Sequence, residues 1–265
     1  MSNTRYQRLI PQAIAALSLL LLSAASAKAL ASHFDLKTAG RGSQPIVTKE
    51  LSKPAALSGF TLRFSSADDH EIRSLGVLQY PGKAVVGLAD QGGEDPFHFN
   101  GSYQRLSTDE IHQAARNDCR GPCAIPIHAE TDKVFVLAGF EVKNRRGEDT
   151  NVRQLAVIPE LAAGRVKVIF RDNGVFDYTT RVQYLLLPKS AVYAEMVYNA
   201  THTLRVVRRR LPNTHVLQAF SFRFDNGDHH LSNIGVAARD KIYFGFGDKN
   251  SDDPFHAEAH FAVLR

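Results

Sequence analysis

The 265-residue chain has no tryptophan, only two cysteines and none of the common catalytic signatures. It contains no G-x-S-x-G, H-E-x-x-H or P-loop sequence, so the familiar serine hydrolases, zinc proteases and nucleotide-binding enzymes lack their motifs here. Two cysteines can pin one connection but cannot form the framework of a disulfide-rich scaffold. These absences favour a binding or structural protein over an enzyme.

Long apolar runs are also scarce, and the one that stands out lies near the N-terminus at residues 13–25. Arg5 and Arg8 precede it, and small residues follow it up to Ala31. The run is about 13 residues long, whereas a membrane span needs about 20. The pattern therefore predicts a cleaved secretory leader over residues 1–29, rather than an uncleaved anchor, and a secreted or periplasmic protein with no integral membrane segment after cleavage.

More than half of the net positive charge of the chain comes from this leader. The whole chain has 32 Lys and Arg against 27 Asp and Glu; the leader holds three of the basic residues and no acid, so the mature charge is about +2. A nearly neutral mature chain argues against nucleic acid as a partner. The basic run at residues 205–210, RVVRRR, is interpreted as a charged edge strand in preference to a polyanion site.

A repeat of 80 residues is the main feature of the mature sequence. The tetrapeptide DPFH occurs at residues 95–98 and again at 253–256, and the match extends outward into longer segments. Three copies begin at Leu57, Leu137 and Leu217. Duplication explains this spacing better than chance. It predicts three units, at residues 30–108, 109–188 and 189–265.

Within each copy the apolar residues alternate as they do in β-strands. Phe60, Leu62 and Phe64 fall on one face of the first strand, and three phenylalanines repeat this in the third copy. The sequence predicts an all-β protein of three tandem small antiparallel β-sandwich units of about 80 residues, either as beads or in a pseudo-threefold arrangement. One helix is expected in the connection STDEIHQAAR, where Ser107 and Glu110 fit a capping box.

Cys119 and Cys123 lie four residues apart in NDCRGPC. In an exported protein this spacing favours a disulfide that closes a tight loop, over a metal pair or two free thiols.

Aspartates recur at equivalent places in the copies. They follow the third strand of each copy and come again five residues later: Asp90 and Asp95, Asp172 and Asp177, Asp248 and Asp253. Turn formation is one explanation, because Asp accepts hydrogen bonds from its own backbone. Calcium binding is the alternative, since Asp248, Asn250 and Asp252 are spaced like the ligands of an oxygen-rich loop.

Aromatic residues and histidines lie beside these aspartates. Phe97, Tyr178 and Phe255 occupy one repeated position, and His98 and His256 follow in two copies. The rings either pack beneath the loop or remain exposed as stacking platforms for a sugar.

The middle unit, residues 125–187, resembles an H-type lectin domain of the snail-agglutinin and discoidin C-terminal type. The resemblance rests on an apolar strand leading into a GF turn, the strand start NVRQ at residues 151–154, and a terminal pair of strands around a polar turn. It implies six-stranded antiparallel sandwiches that assemble as trimers and bind galactose-type sugars near protomer junctions. Three fused copies would resemble such a trimer made from one chain.

The resemblance also implies candidate sugar contacts. The binding arginine of the family falls on Arg73 and Arg153, with Ser232 in the third copy. The aromatic residue beyond the turn is approximated by Phe97, Tyr178 and Phe255. The aromatic–histidine pair of the family is missing, so any sugar site is a rebuilt one.

The sequence as a whole therefore predicts a secreted carbohydrate-binding protein with up to three similar sites for cell-surface glycans, acting as a monomer or as a pseudo-trimer within one chain. The alternative is a protein-binding or structural adhesion module without a sugar site. A secreted glycan hydrolase is the third possibility, since paired acids such as Glu94 and Asp95 could perform general acid–base chemistry.

Overall fold

The computed structural model describes most of the chain beyond its N-terminal segment. The described residues are 32–66, 70–90, 95–107, 110–145, 151–172, 177–201, 214–225, 227, 229–238, 242–247 and 254–265. The predicted leader and the basic run at 205–210 lie outside them. Ser32–Arg265 forms one compact unit.

Sixteen strands account for most of the described residues. In chain order they are β1 (His33–Val47), β2 (Ala55–Phe64), β3 (Ser74–Tyr80), β4 (Lys83–Ala89), β5 (Pro96–Arg105), β6 (His112–Arg120), β7 (Pro122–Pro126), β8 (Lys133–Asn144), β9 (Gln154–Glu160), β10 (Arg165–Arg171), β11 (Asp177–Pro188), β12 (Val192–Thr201), β13 (His215–Phe224), β14 (Asn233–Ala238), β15 (Ile242–Gly247) and β16 (Phe255–Leu264). Short 3-10 turns lie at Lys49–Ser52, Leu161–Ala163 and Lys189–Ala191. The prediction of an all-β protein is confirmed.

The strands form two antiparallel sheets that pack as a β-sandwich. One sheet has ten strands in the order β15-β14-β2-β5-β1-β4-β3-β8-β11-β6, and the other has six in the order β12-β16-β13-β9-β10-β7. The long strand β1 joins two parts of the larger sheet, because residues 33–41 pair with β5 and residues 42–47 pair with β4.

The alternation seen in the sequence decides which face of each strand is buried. In β2, Phe60, Leu62 and Phe64 are at most 1 % exposed, whereas Arg63 points outward and is exposed. Strand β13 repeats the same burial pattern. Burying one apolar face of each strand supplies the hydrophobic driving force of the fold.

Strands of different repeats pair with one another. Strand β14 of the third repeat pairs with β2 of the first, β3 of the first with β8 of the second, and β9 of the second with β13 of the third. Within the described residues, each repeat therefore shares ladders with both others. The hydrogen bonds at the edge of one repeat are thus completed by strands of the next.

Equivalent residues of the repeats meet in the core. The ring centroid of Phe60 lies 4.9 Å from that of Phe140 and 5.2 Å from that of Phe220, and the latter two rings are 4.9 Å apart. A β-bulge also recurs two residues before each of these phenylalanines. The bulged residues are Ser58, Ala138 and Gln218. The 80-residue spacing of the sequence is thus repeated in the local backbone.

The predicted helix in STDEIHQAAR is wrong. Its residues from His112 onward form strand β6, which pairs with β11 and buries Ala114. The capping box of Ser107 and Glu110 is a local signal, and pairing with a long neighbouring strand overrides it. Among the described residues, no helix has the length and apolar character needed to cross a membrane.

The predicted disulfide is confirmed. Cys119 and Cys123 are bonded, with Cα atoms 5.3 Å apart, and both are buried. The bond closes the link between β6, which belongs to the ten-stranded sheet, and β7, which belongs to the six-stranded sheet. It therefore fixes the chain at the point where it passes between sheets.

Candidate functional site

The aromatic residues predicted to stack on a ligand are buried. Phe97 and Tyr178 are 0 % exposed and Phe255 is 2 % exposed. They lie opposite the last residues of β2, β8 and β13, respectively, on the core side of the sheet. The stacking role predicted for these rings is therefore corrected to a packing role, which is the alternative that the sequence left open.

The two arginines carried over from the lectin resemblance occupy equivalent strand starts. The backbone N–H of Arg73 donates to Ala89 O at 2.8 Å, and that of Arg153 donates to Arg171 O at 2.9 Å. Ser232 makes the same bond in the third repeat. Both arginine side chains are half-buried. The structure thus brings them to like positions in the fold, while their sugar-binding role stays a prediction.

Asp90 and Asp95 converge on a buried imidazole, that of His70. The Nδ1 atom of His70 lies 3.0 Å from Asp90 Oδ2 and 3.2 Å from Asp95 Oδ2, and the histidine side chain is 2 % exposed. Its Nε2 atom lies 2.8 Å from Ser66 Oγ. The ring of Phe64 stacks on the imidazole with centroids 3.7 Å apart. We refer to His70, Asp90 and Asp95 as the His70 cluster.

The corresponding aspartates of the second repeat have a different environment. Asp177 forms a hydrogen-bonded ion pair with Arg120, and this contact raises the pKa of the guanidinium. Asp172 lies just after β10 and is half-buried. The position of His70 is taken by Thr150 in the sequence of this repeat.

Several predicted site residues lie outside the described residues. These are Asp248 and Asp253, together with Asn250 and Asp252 of the predicted calcium loop. Calcium binding there stays a prediction. One described residue of the third repeat does match the first repeat: His229 stacks on Phe224 with centroids 4.0 Å apart, as His70 stacks on Phe64.

A second candidate site is an open depression of about 300 Å³ on the outer face of the six-stranded sheet. Strands β9, β12, β13 and β16 line it, and apart from the buried Ala200 and Ala257 the lining residues are at least partly exposed. The lining residues are Gln154, Ile158, Asn199, Ala200, Thr201, Ser221, Arg223, His256, Ala257 and Glu258. We refer to this site as the outer-face depression.

Cross-strand pairing builds the charged part of the outer-face depression. Arg223 on β13 and His256 on β16 are directly opposite each other in the ladder, and each side chain is 50 % exposed. The carboxylate of Asp225 lies beside both, 2.9 Å from His256 Nε2 and 4.0 Å from a guanidinium nitrogen of Arg223. Outward side chains of paired strands lie close together, so these polar groups form one continuous surface.

The first repeat carries the same pair. Arg63 on β2 and His98 on β5 are directly opposite each other, and both are exposed. In the second repeat the equivalent positions hold Lys143 and Thr179. The arginine–histidine pair therefore occurs twice in like positions, and the second repeat has a different polar pair.

Sequence reasoning selected His98 and His256 but missed their arginine partners. A signal was present, because Arg63 and Arg223 occupy the same place in LRF and FRF of the matching segments. The other lining residues come from strands far apart in the chain. Their proximity depends on which strands are neighbours, and the period of a strand does not reveal this.

Comparison with known proteins adds little to this picture. No family model matches the chain, and no curated protein matches it either. A structure of infectious bursal disease virus, Gt strain, aligns at 6 % identity over 87 % of this chain and 81 % of that chain, with a TM-score of 0.09. The Gx strain structure aligns at 6 % identity over 88 % and 82 %, with a TM-score of 0.10. Such TM-scores carry no argument about fold or function.

Proposed function

We propose that this chain is an exported carbohydrate-binding protein and that the outer-face depression takes part of a glycan. The observation that carries the proposal is the density of hydrogen-bonding side chains there, with Arg223, His256 and Glu258 within one open surface. Saccharides present many hydroxyl groups that both donate and accept hydrogen bonds. A guanidinium supplies donors only, a carboxylate supplies acceptors only, and together they match such a ligand.

The lining also explains the affinity that we expect. Ile158 offers an apolar contact for sugar C–H groups, but no Phe, Tyr or Trp is among the described residues that line the outer-face depression. Each site is open to water, so the interaction at a single site is weak. Binding to a surface that bears many glycans gains strength when two sites of one chain engage together.

The proposed number of sites follows from the repeats. We propose an approximate threefold arrangement of the three 80-residue units, supported by their cyclic strand pairing and by the contact of Phe60, Phe140 and Phe220. Two of the three outer faces carry the arginine–histidine pair. The third carries Lys143 and Thr179 and is a diverged site.

Export is part of the same proposal. It rests on the leader pattern of residues 1–29 and agrees with the disulfide between Cys119 and Cys123, since such bonds persist in oxidising compartments.

Glycan-array binding of the purified protein, with competition by the free sugar, tests the proposal. We expect the double variant R223A/H256A to lose at least about tenfold in affinity for the best glycan, which corresponds to about 1.4 kcal/mol. The control is R165A, which removes an exposed arginine on β10 of the same sheet but outside the outer-face depression. Absence of any competing sugar, or an equal effect of R165A, would contradict the proposal.

A protein-binding or structural adhesion module is the second candidate. It is favoured by β12, which is one of the two edge strands of the six-stranded sheet among the described residues. Its Tyr193 and Val197 are 73 % and 53 % exposed and lie on one side of the strand. A strand of this kind can pair with an extended segment of a partner. A protein that binds no glycan and whose partner binding is abolished by Y193K/V197K would establish this candidate instead.

A further inference from the structure

The His70 cluster gathers three good metal-ligand atoms at one point. Its three ligand atoms, one from each side chain, all lie within 4.8 Å of one another. His70 comes from the connection between β2 and β3, whereas Asp90 and Asp95 follow β4 and precede β5. Two separate connections of the first repeat thus converge, which a simple turn does not require.

The imidazole is held in one orientation. Phe64 stacks on one face of the ring at 3.7 Å, and Ser66 Oγ lies 2.8 Å from Nε2. Nδ1 consequently faces the two carboxylates. Histidines that bind metals are commonly oriented by a hydrogen bond from the other ring nitrogen, and Ser66 can accept such a bond from Nε2–H.

We propose that the His70 cluster binds a divalent transition-metal ion of the zinc, cobalt or manganese type through His70 Nδ1 and one oxygen each of Asp90 and Asp95. Ligand atoms bound at about 2.0–2.2 Å to a tetrahedral or octahedral ion lie about 3.0–3.5 Å from one another. The two Nδ1–Oδ2 separations in the His70 cluster, 3.0 and 3.2 Å, fall in this range. One imidazole and two carboxylates suit these ions better than calcium or magnesium, which prefer oxygen ligands alone.

The site has a buried side and an open side. The Asp90 side chain is 12 % exposed and that of Asp95 is 43 % exposed. An ion enters from the Asp95 side, where water can complete its coordination. This arrangement of three protein ligands with a solvent-facing position differs from closed four-ligand structural zinc sites.

The second repeat provides an internal comparison. Asp172 and Asp177 occupy the positions of Asp90 and Asp95, but the guanidinium of Arg120 already neutralises Asp177 and no histidine stands at position 150. The chain therefore supplies its own cation there, and we assign no metal to that position.

The competing chemistry for the His70 cluster is an imidazolium held between two carboxylates. That arrangement satisfies the same distances by hydrogen bonding and needs no metal. The two possibilities differ in one measurable respect, because only the first gives metal affinity that depends on Asp95.

The test is titration of the purified, chelator-treated protein with Co²⁺, followed by absorption spectroscopy, and with Zn²⁺, followed by calorimetry. We expect D95N to lose at least about tenfold in affinity, or one equivalent of bound metal, relative to the wild type. Asp95 is chosen because it is partly exposed, so its substitution leaves the fold intact, as the melting temperature without metal would show. The matched control is D177N, which changes the same residue type at the same repeat position and leaves metal binding unchanged.

Three results overturn the proposal. They are wild-type protein that binds neither ion, equal binding by the wild type and D95N, and equal losses in D95N and D177N. A further readout is thermal: Zn²⁺ raises the melting temperature of the wild type and of D177N but not that of D95N, because an ion that binds only the folded state stabilises it.

Discussion

The rings of Phe60 and Phe140 touch with their centroids 4.9 Å apart, although 80 residues of chain separate them. Phe220, a further 80 residues on, contacts both. The three rings come from strands β2, β8 and β13, one in each repeat, and meet in the hydrophobic core. Stability of any one repeat is therefore tied to the other two.

Truncation of one of these rings tests that coupling. We expect F140A to lower the free energy of unfolding by about 3–5 kcal/mol, the usual range for a buried phenylalanine. Because strands of all repeats share sheets, unfolding stays a single transition when fluorescence and circular dichroism are compared. F34A is the control, since Phe34 is only partly buried, and its effect is smaller. Two separate transitions in F140A would show that the repeats unfold independently.

Two buried tyrosine hydroxyls predict opposite effects of the same substitution. The Tyr178 hydroxyl donates within the disulfide loop, 2.7 Å from Gly121 O, whereas that of Tyr103 has no hydrogen-bond partner in the described part of the chain. We expect Y178F to lower the free energy of unfolding by about 1–2 kcal/mol and Y103F to leave it unchanged or raise it by about 1 kcal/mol. Chemical denaturation measures both. Equal losses in the two variants would contradict the described hydrogen bonding.

Burial of the same two tyrosines predicts alkaline destabilisation. Burial raises the pKa of Tyr103 and of Tyr178 above the ordinary value. In the unfolded chain a tyrosine loses its proton at about pH 10, whereas these two buried tyrosines keep theirs to higher pH in the folded state. The free energy of unfolding therefore falls as the pH rises above about 10, and the two tyrosines do not change it at lower pH. Unfolding free energies measured at about pH 9 and about pH 11 should differ less in Y103F than in the wild type. A steeper loss in Y103F would refute this assignment.

The disulfide should contribute modestly to stability. Its two cysteines are separated by 4 positions, so it closes a very short loop. The loop-entropy relation then gives about 2 kcal/mol. We expect the double variant C119A/C123A to remain folded, with a free energy of unfolding lower by that amount and insensitive to reducing agent. A variant that fails to fold would mean that the link between the sheets depends on the bond.

Much of the fold was predictable because apolar residues alternate along a strand that buries one face, so the sequence shows which face is buried. The alternation of Phe60, Leu62 and Phe64 indicated the strand and its core face, and the disulfide followed from spacing and expected compartment. The helix expected near Ser107 failed because a local capping pattern competes with strand pairing that only the folded chain supplies. Phe97 shows a second limit of local patterns. An aromatic residue that recurs in each repeat can be either packed in the core or exposed, and the sequence alone does not distinguish the two.

The partners of each repeat could not be predicted from periodicity. Alternation states which side of a strand faces the core but not which strand lies next to it. The pairing of β9 with β13 brings Gln154 beside Arg223 across the chain, and the outer-face depression depends on it. The His70 cluster likewise requires the β2–β3 and β4–β5 connections to meet, although Asp90 and Asp95 stood among the repeated polar positions.

The outer faces of the two sheets, at the arginine–histidine pairs, are the proposed saccharide-binding surfaces. Titration of isotope-labelled protein with the best array glycan, followed by amide chemical-shift mapping, identifies the residues that the glycan contacts. We expect chemical-shift changes confined to residues 154–158, 199–201, 221–223 and 256–258 of the outer-face depression and to residues 61–63 and 98–100 at the equivalent place in the first repeat. Shifts centred instead on Arg73 and Arg153, or no shifts with any glycan, would contradict the proposal.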